Sequence, residues 1–374
     1  MTIAKCPYFG SCGGCSLQHL DYAVQLDNKR KLLANLIKMP AEAVKVFSGK
    51  EYGYRNRMDF IFTPTGLGFR KKGSWSTIIN IENCPIADDR INIFLKELMQ
   101  NFRNVDYFDV KKCAGTFFYA VIRAPKNDSS ISFVLNQDSQ KLGEAIEKIK
   151  DYAKKSSADN IIITQVPHNT NESISNEFFA VKGSDMLHES YFGKNFVYSV
   201  QGFFQNNSDM AEKMQEYVNG LLKSYGAENT KKATLLDLYA GVGTFGIVNS
   251  DLFKKVLIVE NDKNCIDAAK KNIELNNVKN AEASLMDAKY LKRTALQGEI
   301  YVISDPPRSG MDEKTIIYLK EIKPKVIIYV SCNPQQLGKD IPKFKSYSIK
   351  SAALFDLFPQ TNHSEAVVEL ALNQ

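Results

Sequence analysis

No apolar run in the 374 residues approaches the roughly 18–20 consecutive positions that a helix needs to cross a bilayer. The opening segment MTIAKCPYFG holds no apolar stretch fit to serve as a signal peptide. No internal repeat and no low-complexity tract interrupts the chain. Cysteine is sparse and odd in number, at seven. In a chain that is neither short nor secreted, this argues against a disulfide framework. Together these absences disfavour a membrane protein, a secreted protein and a long disordered one, and they predict a cytoplasmic protein. With 44% hydrophobic and 24% charged residues, the chain can bury a sizeable core.

At roughly 100–200 residues per domain, the length suggests two domains. The net charge of +6 is unevenly placed: residues 1–80 carry 12 Lys and Arg against 5 Asp and Glu. A locally basic N-terminal segment suits a polyanionic partner such as nucleic acid.

Residues 1–17 form a Cys- and Gly-rich loop, and the spacing of Tyr22, Leu26, Leu33 and Ile37 predicts a helix over 18–38, ended by Pro40. From about 52 to 195 short alternating strands dominate, with helices near 88–102 and 140–154, which predicts a mostly antiparallel sheet. From about 205 continuous apolar strands alternate with helices, the pattern of a parallel α/β sheet covered on both faces. The expected architecture is therefore α/β. Residues 1–200 form an N-terminal and central α+β domain, with segment 18–38 expected to pack against the second domain. Residues 201–374 form a Rossmann-like domain.

The second domain carries the chemistry-bearing motifs. Asp237-Leu-Tyr-Ala-Gly241-Val-Gly243-Thr-Phe-Gly246 ends a strand and opens a helix, where glycines let the backbone approach a ligand closely. Glu260 ends the next strand, 19 residues after Gly241, a placement that suits a ribose. Asp287 lies where a third strand would end, near an adenine. This set fits S-adenosylmethionine or NAD. The fourth strand ends Asp305-Pro306-Pro307-Arg308-Ser309-Gly310. Methyltransferases of exocyclic amino groups place an aromatic residue after the two prolines, so Arg308 argues against that chemistry. Cys332, at the end of the fifth strand, faces the same cleft, where a thiolate attacks an electron-poor carbon. Glu365 precedes a final apolar strand as a candidate general base.

Together, FFQNN (203–207), DLYAGVGTFG (237–246), VE (259–260), DPPRSG (305–310), SCNP (331–334) and LFPQTNHSE (357–365) resemble the RNA uracil-C5 methyltransferase family, in the family's order. The resemblance implies that Cys332 adds to C6 of uracil, that C5 then takes the methyl group of S-adenosylmethionine, and that Glu365 removes the C5 proton. It also implies donor contacts from Gln205, Tyr239, Glu260 and Asp305, beside Gly241, Thr244 and Asp287. At Thr244 relatives often carry Asn, and at Ala240 Cys.

In the N-terminal half, Cys6-x5-Cys12-x2-Cys15 with the distant Cys84 matches the family's four-cysteine site, which implies a [4Fe–4S] cluster; four thiolates also suit zinc. The spacing is not the C-x3-C-x2-C of radical enzymes. Because Cys6 lies at the start, the β-barrel RNA-binding module common in the family is expected to be absent. The subset with four cysteines and no module resembles the enzyme that methylates one loop uridine of 23S rRNA, which is the expected substrate; some archaeal relatives with the cluster act on tRNA, whose T-loop is the alternative. Such a uridine must be flipped out. Arg55, Arg57, Arg70, Lys71 and Lys72, interleaved with Tyr54 and Trp75, are the candidate RNA contacts. No membrane and no obligate protein partner is expected.

Two other classes compete. A non-catalytic RNA-binding protein on this fold would have no need of Cys332 and Glu365, and both are present. DNA cytosine-C5 methyltransferases carry the nucleophile in a Pro-Cys motif after the fourth strand, not the fifth.

Overall fold

The computed structural model describes residues 2–373 apart from 295 and 297. An eight-stranded sheet forms the catalytic half. Across it the strands run Val44–Phe47, Tyr347–Phe355, Glu365–Leu372, Val326–Ser331, Ile300–Ser304, Thr234–Leu238, Lys255–Glu260 and Ala281–Leu285. The last five are mutually parallel, and Glu365–Leu372 is antiparallel to both its neighbours. From Thr234–Leu238 the chain first builds outward on one side, then returns to build on the other. A ligand crevice opens at such a reversal, beyond the carboxyl ends of the strands.

The continuous apolar character of these strands has a simple cause. Successive side chains point to opposite faces, and each face has its own core. Leu235, Val256, Ile258, Ile303 and Ile328 pack on one side with Met210, Met214 and Val218 of the helix Ser208–Lys223. Leu236, Leu257, Val259, Val302 and Ile327 pack on the other with Leu33, Ala34 and Ile37 of the helix Tyr22–Ile37. The N-terminal strand Val44–Phe47 joins the same sheet as an edge, parallel to Tyr347–Phe355.

A second sheet of seven strands lies between these N-terminal and C-terminal parts of the chain. Its order is Ile78–Asn80, Gly66–Arg70, Arg57–Thr63, Phe117–Arg123, Ser130–Asn136, Asn160–Val166 and Phe178–Lys182. One pair departs from the expected antiparallel pattern: Ser130–Asn136 runs parallel to Asn160–Val166. The helix Leu142–Ala153 connects them, as a parallel crossover requires. Among the described residues no helix is long and apolar enough to cross a membrane.

Candidate active site

The first strand of the parallel set carries Asp237 into the core, where its Oδ2 accepts the Gly246 N–H at 2.7 Å. Burial pushes this carboxyl well above its usual range, and the bond fixes the start of the helix Thr244–Val248. A Cβ on Gly246 would stand 2.8 Å from Cγ1 of Ile258, so only glycine lets this helix approach the sheet. Between strand and helix, Tyr239, Gly241 and Gly243 all take positive φ (57°, 54° and 83°). The turn aims the Gly241 N–H at Glu260, whose Oε2 accepts it at 3.0 Å. Glu260 Oε1 accepts the N–H groups of Asn261 and Asp262 at 2.7 and 3.0 Å. Three backbone donors thus fix this carboxylate before any ligand arrives. Thr244 Oγ1 accepts from Gln215 Nε2 at 3.2 Å, and Asp287 pairs with Lys289 Nζ at 2.7 Å.

These strand ends open into one cleft of about 2220 Å³. Gln205, Tyr239, Gly241, Thr244, Glu260, Asp287, Asp305, Cys332 and Glu365 all line it. Sheet register explains the reactive end. Ser331 pairs with Ala366 on an antiparallel strand, so the next residue on one side, Cys332, falls opposite the preceding residue on the other, Glu365. Asp305 follows Ser304 on the strand beside them. Burial raises the Cys332 thiol to about 11, with the Glu365 and Asp305 carboxyls adding to the rise and Arg308 opposing it. Glu365 is raised well above its usual range by burial and by Asp305, again against Arg308. Desolvation lifts Asp305 to about 7. Arg308 is the residue whose role the sequence did not reveal: it reads there as a missing aromatic, and here it is the cation of the site.

Two loops are tied together at this point. Asn333 Nδ2 donates to the Arg308 carbonyl at 2.9 Å. Buried Asp340 accepts from Tyr329 OH at 2.8 Å, Gln336 Nε2 at 3.1 Å, Lys343 Nζ at 3.0 Å and the Met311 N–H at 3.3 Å.

The four N-terminal cysteines gather around a separate cavity of about 420 Å³, which shares Gly14, Arg55 and Asn206 with the main cleft. All four are free thiols, and burial raises Cys84 to about 12. Among the described residues no group of three or more His, Cys, Asp or Glu side chains is arranged to hold a metal ion.

The basic residues divide. Arg55 lines the cleft, and Lys71 and Lys72 are exposed on the turn that also carries Trp75, which is 67% exposed. Arg70 braces that turn, donating to the Trp75 carbonyl at 3.0 Å and to Asn171 Oδ1 at 3.3 Å. Arg57 points inward and holds both oxygens of Asp59 at 2.9 Å. Tyr54 is not a stacking platform: it is buried, and its hydroxyl donates to the Pro359 carbonyl at 2.9 Å.

Comparison with known proteins bears on this geometry. A family profile described as tRNA (uracil-5-)-methyltransferase matches residues 21–373. The chain belongs to that family. It is an RNA (uracil-C5)-methyltransferase. Its relatives include the tRNA (uracil(54)-C(5))-methyltransferase of Pyrococcus horikoshii, 32% identical over 98% of this chain and 85% of the relative. An uncharacterized RNA methyltransferase of Clostridium tetani is also 32% identical, over 98% and 83%. The crystal structure of the Pyrococcus abyssi tRNA (uracil-54, C5)-methyltransferase in complex with S-adenosyl-L-homocysteine superposes with a TM-score of 0.79 at 29% identity. It covers 96% of this chain and 86% of that one. The methyltransferase family thus accounts for the cleft at the switch point of the sheet.

Proposed function

We propose that this S-adenosylmethionine-dependent enzyme methylates C5 of a uridine in tRNA, with Cys332 as nucleophile and Glu365 as general base. The observation that carries the reading is the register that sets Cys332 opposite Glu365 at the end of a cleft lined by Glu260, Asp287 and Asp305. The Cys332 thiolate forms a bond to C6, and the electron pair of the 5,6 double bond moves toward C5 and O4. The enolate-like C5 attacks the methyl carbon of the donor, the S–CH3 bond breaks, and its electron pair stays on sulfur as S-adenosylhomocysteine leaves. Glu365 then takes the C5 proton, the C5–H electrons restore the double bond, and the bond between Cys332 and C6 breaks. Glu260, held by three N–H groups, receives the ribose hydroxyls. Arg55, Lys71, Lys72 and Trp75, with Arg70 bracing their turn, contact the RNA.

The names of the two Pyrococcus relatives support tRNA over the 23S rRNA expected from the four-cysteine subset. Mapping of 5-methyluridine in cells without the gene tests this. The nucleoside should vanish from tRNA and persist in 23S rRNA, and the reverse pattern overturns the reading. Cys332→Ala should give neither product nor covalent complex. Glu365→Gln should accumulate a methylated protein–RNA adduct that survives denaturing electrophoresis. Normal turnover by either variant removes that residue from its role.

Cys6, Cys12, Cys15 and Cys84 line one cavity without forming a ready metal site, and their match to the family's four-cysteine pattern supports a [4Fe–4S] cluster with a structural role. Cys6, Cys12, Cys15 and Cys84 would hold such a cluster, and its thiolate bonds would tie the N-terminal loop to Cys84. Anaerobically purified protein should carry about four irons per chain, and Cys84→Ser should lose them. Stoichiometric zinc without iron would sink the cluster.

A further inference from the structure

Residues 356–364 connect the strands Tyr347–Phe355 and Glu365–Leu372, and the last strand begins at the proposed base. Four consecutive carbonyl oxygens in this connection are held by four different parts of the chain. The Leu357 carbonyl accepts from Asn207 Nδ2 at 3.1 Å, at the start of the helix that follows Gln205. The Phe358 carbonyl accepts from Lys29 Nζ at 3.3 Å. The Pro359 carbonyl accepts from Tyr54 OH at 2.9 Å. The Gln360 carbonyl accepts the N–H groups of Ser16 and Leu17, each at 3.0 Å, directly after the cysteine loop.

The Gln25 side chain closes the arrangement. Its Oε1 accepts the Gln360 N–H at 3.1 Å, and its Nε2 donates to Gln360 Oε1 at 3.0 Å and to the Leu20 carbonyl at 2.9 Å. Gln25 is fully buried, and Lys29 and Asp356 form a buried ion pair at 2.6 Å beside it. Gln360 itself sits at φ +67°, a conformation that persists only where the surroundings over-determine it.

Any buried loop must satisfy its carbonyls. What is particular here is where the donors come from and what the loop delivers. Strand pairing sets Glu365 opposite Phe355, and the ladder continues with Ala366 opposite Ser331. The chain that leads into Glu365 is a connection whose bonds reach to residues 16, 17, 25, 29, 54 and 207. We propose that Gln25 and Tyr54 are positioning residues for Glu365, holding the 356–364 connection so that the carboxyl reaches the C5 proton. The proposal rests on the reading of Glu365 as the base. A displacement near 1 Å is enough to slow a proton transfer about 100-fold. It leaves the attack by Cys332, on a different strand, intact.

The test uses Tyr54→Phe, which deletes one hydroxyl, and Gln25→Leu, alone and combined, in the full-length chain with tRNA substrate. Turnover should fall about 10- to 100-fold, with the methylated covalent adduct accumulating on unmodified tRNA. Adduct formation with 5-fluorouracil-substituted tRNA, which needs attack and methyl transfer but no proton removal, should keep its wild-type rate. A loss of stability alone would slow both reactions together, and that result overturns the proposal, as does unchanged turnover. Tyr54→Phe decides the matter if Gln25→Leu does not fold. Glu365→Gln is run beside them. If it traps adduct while the two variants do not, positioning fails and the base stands. If it turns over normally, the base assignment itself has failed.

Discussion

Three acids share the reactive end of the cleft: burial raises all of them, Asp305 also raises Glu365, and both carboxyls raise Cys332. In the proposed mechanism Cys332 must be a thiolate to attack and Glu365 a carboxylate to accept a proton, yet burial and neighbouring carboxyls raise both. Arg308 is the cation that works against this. Its contribution has a definite sign. Removing the guanidinium raises both groups further, so less thiolate is present at any given pH. Arg308→Met should therefore move the pH profile of 5-fluorouracil–RNA adduct formation to higher pH and lower the rate near neutrality. Because the thiol lies near 11, the wild-type rate should itself climb from neutral into alkaline pH. A profile that does not move on substitution would show that Arg308 acts on neither group.

At the scale of the elements, the loop after Ile300–Ser304 and the turn after Val326–Ser331 are held as one unit by Asp340. Gly310, at φ +85°, lies so close to Asp340 and Gln336 that an added Cβ would collide with both side chains. Gly310→Ala carries the left-handed penalty of about 1–2 kcal/mol and the clash as well. It should destabilise the protein by more than that penalty in denaturant titrations, and it should slow adduct formation because Cys332 sits in the displaced turn. A neutral effect on both would show that the two loops are not coupled. These loops were legible in the sequence, because an apolar run ending in Asp-Pro-Pro or Ser-Cys-Asn-Pro marks a strand and its edge without help from the rest of the chain. The strand Val44–Phe47 was not legible. Its four residues, VKVF, carry no turn signal, since its partner lies about 300 residues later and pairs in parallel. The inward turn of Tyr54 was hidden for a related reason: only the fold brings Pro359 to it. The parallel pairing of Ser130–Asn136 with Asn160–Val166 was within reach, because a helix between two strands already implied it.

At the scale of the whole molecule, the catalytic sheet is built from both ends of the chain. Residues 201–374 alone lack Val44–Phe47, which covers one edge, and Leu33, Ala34 and Ile37, which cover part of one face. A fragment of these residues should bind a hydrophobic dye and self-associate, as an uncovered edge and face do. Light scattering that reports a monomer without dye binding would show the N-terminal elements to be dispensable to the sheet.

This interleaving sets an order of events while the chain is being made. Val44–Phe47 leaves the ribosome about 300 residues before the strand it pairs with. At about 5–20 residues per second, it waits roughly 15–60 s. During that interval the apolar stripe of Tyr22–Ile37 has no final place to pack, while the seven-stranded sheet is already free to form. The strands Thr234–Leu238, Lys255–Glu260 and Ile300–Ser304 can assemble next. Glu365, the proposed base, opens the strand of this sheet that is made after all the others, and it meets partners already in place. On that reading, methylation has to await the synthesis of this strand.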